Sequence, residues 1–111
     1  MLYEVLKSKI HMARVTEKKR DYEGSITIDK KLVQRAKLLP NEKVLVADVE
    51  NGNRFDTYVI LGNDGEICIN GAAANLVEIG DRLIIMSFGL TEKEDFYPTI
   101  IRVDERNRIK S

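Results

Sequence analysis

Leu39-Pro40-Asn41-Glu42-Lys43-Val44-Leu45-Val46 and Glu78-Ile79-Gly80-Asp81-Arg82-Leu83-Ile84-Ile85 are two copies of one pattern in a chain of 111 residues. In each copy a turn residue, an acid and a base lead into an apolar strand, and each follows a short helical stretch. Such an echo indicates two related halves packed about a pseudo-twofold axis. That is the internal symmetry of a double-psi β-barrel, so the expected fold is mainly β with short helices.

The rest of the chain supplies strands to fill that frame. Leu2 to Thr16 contains neither Gly nor Pro, and from Lys9 it alternates imperfectly: Ile10 and Met12 face one way, Lys9, His11 and Ala13 the other. A long strand with Lys9 and His11 on a polar face is expected. A charged run, Glu17 to Arg20, precedes a short strand around Ile26 and Ile28. Asp29 is a good N-cap for a helix over about residues 30–37, which Pro40-Asn41 stops. Residues 43–49 and 54–61 read as a hairpin joined at Asn51-Gly52, a strong short hairpin signal. Gly62 to Gly65 turns into a strand over 66–69, and Asn70 to Asn75 is a small-residue turn or short helix. Strands over 82–88 and 99–103 follow, and the charged segment 105–111 is expected to fray.

Composition bounds the function. The length suits one domain with a modest core, small for an enzyme that must enclose a substrate alone, so oligomerisation is expected. Eighteen basic and eighteen acidic side chains are dispersed along the chain, which is not the pattern of a nucleic-acid binder. No apolar run approaches the ~20 residues of a membrane span. Met1-Leu2-Tyr3-Glu4 lacks the basic and apolar regions of a signal peptide, making the cytoplasm the default location. The single Cys68, between Ile67 and Ile69, reads as a buried, inert thiol.

Gly24-Ser25 lies where a loop becomes a strand, in Asp21-Tyr22-Glu23-Gly24-Ser25-Ile26-Thr27-Ile28-Asp29. Glycine reaches backbone angles closed to other residues, and the following serine brings a hydroxyl within reach of the preceding carbonyl carbon. An N-to-O acyl shift needs that arrangement. Gly-Ser is also a common turn dipeptide, so its company matters. Lys9, Ile10 and His11 precede it; Asn51-Gly52-x-Arg54-Phe55-x-Thr57-Tyr58 and Asn70-Gly71-Ala72-Ala73-Ala74 follow. In order and spacing, over about residues 1–104, this set resembles the pyruvoyl-dependent aspartate 1-decarboxylases of bacterial pantothenate biosynthesis.

The resemblance implies a double-psi β-barrel, a homotetramer with sites at subunit interfaces, and a cofactor made from the chain itself. Ser25 would attack the Gly24 carbonyl, and elimination and hydrolysis would leave a pyruvoyl group at the new N-terminus. One domain, 1–111, would then become a β chain of residues 1–24 and an α chain of 25–111. Decarboxylation needs such an electron sink, and the sequence has no glycine-rich phosphate cradle for pyridoxal phosphate. The pyruvoyl group would bind L-aspartate as a Schiff base and release β-alanine and CO2, with no metal required.

Further roles follow from the same resemblance. Arg54 would hold the substrate's side-chain carboxylate, a task suited to the planar guanidinium fork, with Lys9 adding positive charge. Tyr58, four residues on and so on the same strand face, would return a proton to the substrate carbon. Thr57 would serve processing and substrate binding; because it alternates with Tyr58, a bulge or a neighbouring subunit must reconcile the two. Asn70, Gly71, Ala72 and Ala73 would let backbone N–H groups approach a ligand closely, and His11 and Tyr22 would line the site. Many family members carry tryptophan where this chain has Ala47, a departure affecting the pocket wall. Two alternatives stay open on sequence: a non-enzymatic β-barrel binding module, and a pyruvoyl decarboxylase for another acidic amino acid.

Overall fold

The computed structural model describes residues 1–110. Its strands are β1 (Tyr3–Arg14), β2 (Glu17–Lys19), β3 (Ser25–Asp29), β4 (Lys43–Asp48), β5 (Arg54–Gly62), β6 (Ile67–Asn70), β7 (Arg82–Thr91) and β8 (Thr99–Arg102). Helix α1 (Lys30–Arg35) and a 3₁₀ helix (Gly71–Leu76) complete it. The strands form one mixed sheet in the order β2-β6-β3-β5-β4-β7-β1-β8. β1 runs almost directly into β2. At the crossing the Val15 N–H donates to Asp81 O at 2.9 Å, on the β7 side, and the Thr16 N–H to Ile67 O at 2.8 Å, on the β6 side. This handover joins the two ends of the order, curling the sheet into a barrel with β8 as an outer strand on β1.

The inward face carries the core. Ile10, Ile26, Ile28, Val44, Val46, Val59, Ile67, Ile69, Leu83 and Ile85 are sealed from solvent, and Leu32 and Val33 of α1 close one end. A one-residue slip in any pairing would turn these residues out to water, so burial sets the register.

The two halves anticipated from the repeat are present bond for bond. The Leu39 N–H donates to the Glu42 carboxylate and the Glu78 N–H to that of Asp81, both at 2.9 Å. Asn41 N–H reaches Val59 O at 2.7 Å, and Gly80 N–H reaches Val15 O at 2.8 Å. Asn41 (φ 71°) and Gly80 (φ 95°) both occupy the left-handed region, which explains asparagine and glycine there. β4 and β7 pair antiparallel with Val46 opposite Ile85, equivalent residues of the two copies, so the pseudo-twofold axis passes between them.

Several local expectations change. Ile10 and Met12 do not share a face: the β1–β7 register shifts between His11 and Ala13, Met12 takes φ 71°, and Ala13 turns inward beside Ile10. The extra residue of this bulge breaks the period of two. α1 ends at Arg35, earlier than expected, because Lys37 adopts φ 59° before Pro40 is reached. Its N-cap is as anticipated, with the Asp29 carboxylate accepting the Lys31 N–H at 2.8 Å. The charged run contains β2, which gains its ladder from β6 rather than from apolar patterning. The C-terminal segment is not frayed through Lys110. Buried Asn107 accepts the Arg14 N–H at 2.6 Å and donates to Arg14 O and Gly65 O at 2.9 and 3.0 Å. Ser111 lies outside the described residues. Among these residues no helix is long and apolar enough to cross a membrane.

Asp48, at the end of β4, is 1% exposed. One carboxyl oxygen accepts the Glu50 N–H at 2.9 Å; the other has no donor among the described residues and faces the Asp81 carboxyl. Burial, reinforced by Asp81, pushes Asp48 up to about 6. Because the folded value lies above the unfolded one, the stability from the shared proton is complete below about pH 4 and is lost as pH rises through about 6. Asp48→Asn replaces that proton with an amide donor. It should raise stability by about 1–3 kcal/mol at pH 7.5, with the gain shrinking toward pH 5. His11, whose pKa is lowered by burial and by Lys9, Arg102 and Lys110, shifts stability the opposite way. Its contribution is common to both proteins, so paired thermal melts isolate Asp48.

Candidate active site

Ser25 opens β3 directly opposite Asn70, the last residue of β6. The serine is 3% exposed. Its hydroxyl donates to Glu23 O at 3.3 Å and accepts from Asn70 Nδ2 at 3.0 Å. The same amide donates to Thr27 Oγ1 at 3.0 Å, and Asn70 Oδ1 accepts from Cys68 Sγ at 3.2 Å. Burial pushes the Cys68 thiol pKa up, which keeps its proton available as this donor. Asn70 is thus fixed in orientation as a clamp on the serine oxygen, and its side chain does not cap the 3₁₀ helix that follows.

Gly71 makes the closest approach. At φ 83°, a Cβ added to it would lie 2.7 Å from Gly24 Cα, 2.9 Å from Gly24 N and 3.3 Å from Tyr22 O. Only glycine permits that contact. Gly24 itself differs from the sequence expectation: its φ is not in the left-handed region and a Cβ there would meet nothing within 4 Å. The special backbone angle belongs to Gly71, across the contact. Gly71 is buried, Ala73 packs partly against the core, Ala72 is exposed, and Tyr22 is exposed with Lys19 Nζ 5.7 Å from its ring centroid.

Tyr58 and Arg54 do share the outer face of β5, with Thr57 turned toward the interior between Phe55 and Val59. The β4–β5 register runs without a shift from Lys43↔Tyr58 to Ala47↔Arg54, so no bulge brings Thr57 and Tyr58 to one side. β3 lies parallel to β5 with Ile26 beside Val59; one step back, Ser25 flanks Tyr58. Arg54, four residues away, stands about 13 Å along the strand.

Arg54 instead belongs to a second row. His11 pairs with Ile84, Ile84 with Ala47, and Ala47 with Arg54, crossing β1, β7, β4 and β5 on the outer face. Lys9 lies two positions from His11 on that same face of β1. Asp56, the carboxylate nearest Arg54 in sequence, is taken by Lys43 at 3.6 Å. Neither Arg54 nor Lys9 has an ion-pair partner among the described residues. Two cationic side chains are therefore available to an anionic ligand, and burial, together with Lys9, Arg102 and Lys110, disfavours the charged form of His11 beside them. Among the described residues no group of three or more His, Cys, Asp or Glu is placed to hold a metal.

The sequence-expected residues thus fall into two patches: Gly24, Ser25, Tyr58, Asn70 and Gly71 around the Gly24-Ser25 junction, and Lys9, His11 and Arg54 in a row across the outer face. Thr27 and Cys68 had no role in the sequence reading. Strand alternation could have found both, Thr27 two residues from Ser25 on β3 and Cys68 two residues from Asn70 on β6.

The structure is thus a small β-barrel with a buried, hydrogen-bonded serine after an exposed loop and, among the described residues, two cations without ion-pair partners on its outer face. Comparison with known proteins makes this specific: the aspartate decarboxylase family model matches residues 1–110. Proteins named aspartate 1-decarboxylase are 54% identical in Caldicellulosiruptor saccharolyticus (98% of this chain, 89% of the relative) and 53% in Acetivibrio thermocellus (98% and 90%). One from Clostridium botulinum strain Loch Maree is 51% identical, covering 99% of this chain and 91% of the relative. The chain belongs to the aspartate decarboxylase family.

The Gly71–Gly24 contact has a direct test in a Ser25→Ala background, which leaves the backbone of the junction as it is and removes only the serine hydroxyl. Gly71→Ala should cost about 1–3 kcal/mol through backbone strain and displacement of the loop. Gly24→Ala should stay within about 0.5 kcal/mol. Urea unfolding of the two variants checks the asymmetry; equal losses would contradict it.

Proposed function

We propose that this protein is a pyruvoyl-dependent aspartate 1-decarboxylase, converting L-aspartate to β-alanine and CO2 in the cytoplasm for pantothenate and coenzyme A biosynthesis. The observation that carries the reading is the Ser25 hydroxyl, buried, gripped by Asn70 and hydrogen-bonded to Glu23 O under the pressing backbone of Gly71. The fit to a serine-derived pyruvoyl group is good: the junction is cradled where a Cβ at Gly71 would not fit, and the hydroxyl is held by one neutral amide.

In self-processing, Ser25 Oγ adds to the Gly24 carbonyl carbon. The C–N bond then breaks, the amine takes up a proton, and residues 1–24 are held by an ester. Loss of the Ser25 Cα proton and cleavage of the Cβ–O bond release residues 1–24 as a carboxylate. Hydrolysis of the remaining enamine, through its imine tautomer, expels ammonia and leaves a ketone at position 25. Asn70 holds the nucleophile's oxygen, and Thr57 of a neighbouring chain supports the scissile carbonyl.

Once formed, the pyruvoyl group supplies an electron sink for the pair left behind when CO2 departs. The chain supplies the rest. Arg54 binds the side-chain carboxylate through two parallel hydrogen bonds, and Lys9 adds charge. Tyr58 Oη delivers a proton to the substrate carbon. Asn70 to Ala73 position the substrate, and His11 and Tyr22 line the site.

The separation of Arg54 from Ser25 within one chain, and of Thr57 from Tyr58 across β5, supports a site completed by a neighbour. Exposed Leu2, Phe88, Leu90 and Tyr97 provide apolar surface for that association, consistent with a homotetramer of closed symmetry.

Denaturing intact-mass spectrometry tests the processing. Two polypeptides, 1–24 and 25–111, are expected, the larger lighter than its serine-ended form by one ammonia, and Ser25→Ala should remain whole and inactive. A wild-type chain intact after prolonged warming overturns the reading, and equal turnover of L-glutamate overturns the choice of substrate.

Shared sites have a separate test. Arg54→Ala should lose about 2–5 kcal/mol of transition-state stabilisation. Co-expressed with Ser25→Ala, it should regain activity in those tetramers that combine one intact half-site from each chain. Tetramers with no recovery would mean that both residues come from one chain.

A further inference from the structure

The hairpin loop between β4 and β5 grips the 3₁₀ helix at the end remote from Ser25. Asn51 Nδ2 and Asn53 Nδ2 both donate to a single carbonyl, Leu76 O, at 3.0 and 2.9 Å. Leu76 is the last residue of that helix, where carbonyls lack intrahelical donors. The loop is itself stiff. Asn51 Oδ1 accepts the Asn53 N–H at 2.8 Å, Gly52 sits at φ 78°, and the Gly52 N–H donates to Asp48 O at 2.8 Å. The next carbonyl, Val77 O, is held by Lys18 Nζ at 2.9 Å.

The other end of this six-residue helix is Gly71, whose backbone leaves no room for a Cβ against Gly24. A short helix pinned at its C-terminal carbonyl cannot slide along its axis or swing without moving its first residue. We propose that Asn51 and Asn53 are positioning residues for self-processing: their two amides on the Leu76 carbonyl hold the 3₁₀ helix so that Gly71 presses the Gly24-Ser25 junction into its reactive arrangement. Neither asparagine touches the reacting atoms. Arg54 follows Asn53 directly, so the same clamp ties the substrate-carboxylate side of the chain to the processing side. This inference rests on the processing chemistry proposed above.

The test uses Asn51→Asp, which keeps the turn-forming acceptor but removes the donor to Leu76, together with Asn53→Ala. Processing half-time is read by intact mass, and Asn107→Ala serves as a comparison that loses three buried hydrogen bonds in the C-terminal segment. The double variant should process at least ten-fold more slowly than wild type, the single variants to an intermediate degree, while Asn107→Ala processes at the wild-type rate despite an equal or larger fall in Tm. Wild-type processing by the double variant, or equal slowing by Asn107→Ala, overturns the proposal.

Hydrogen exchange in a Ser25→Ala background supplies a readout that needs no cleavage. Amides of residues 20–26 and 71–77 should exchange faster in the double variant. Unchanged exchange overturns the clamp even if wild type processes. Faster exchange in a chain whose wild type never cleaves would uphold the mechanical link and defeat the processing reading instead.

Discussion

The handover at Val15–Thr16 is the constraint on which the rest of the structure depends. One backbone segment donates to β7 through Val15 and to β6 through Thr16, and the Thr16 hydroxyl exchanges further bonds with Ile67. Without it the sheet would have two open edges and an apolar face exposed at both ends. With it, the strands close around a core of Ile, Val and Leu, and the chain that emerges as β2 is carried straight into the loop bearing Gly24-Ser25. The barrel's closure and the location of the Gly24-Ser25 junction are one structural event.

That junction is held by neutral groups throughout. The Asn70 amide and the Glu23 carbonyl bond the Ser25 hydroxyl, the Thr27 hydroxyl and the Cys68 thiol hold that amide in turn, and no charged side chain hydrogen-bonds the serine oxygen among the described residues. The charges lie elsewhere on the outer face, where Lys9 and Arg54 have no carboxylate partner among the described residues. This division suits the two tasks proposed for the protein. Rearranging a peptide bond calls for fixed geometry about one oxygen, whereas capturing a dicarboxylate calls for cations kept free of internal ion pairs. Within one chain the two regions stand apart along β5, which is why the function proposed above calls on a second subunit to bring them together.

The pseudo-twofold arrangement also explains where the strain sits. The two turns at Asn41 and Gly80 are equivalent in hydrogen bonding, but the strands that follow them diverge in use. After the first copy, β4 ends at Asp48, buried against the partly exposed Asp81 of the second copy with a carboxyl oxygen lacking a donor among the described residues. A buried acid without a full set of donors is a costly element, and here it lies at the base of the loop whose asparagines hold Leu76.

Much of this was legible in the residues themselves. The repeat foretold the paired turns because an acid directly before a strand accepts the backbone N–H three residues earlier and caps its own turn locally, and the Asp29 cap and the shared face of Arg54 and Tyr58 follow from short-range geometry in the same way. Tertiary structure decided what alternation cannot encode: the Met12 bulge that turns Ala13 inward, the ladder that makes a strand of the charged run at Glu17–Lys19, and the burial of Asn107 that ties down the tail. It also moved the requirement for glycine from Gly24 to Gly71. Backbone angles and open space at Gly24 are local properties that any small residue could satisfy, but the approach of Gly71 arises only when β6 is laid beside β3, a contact between segments remote in the chain that sequence periodicity does not carry.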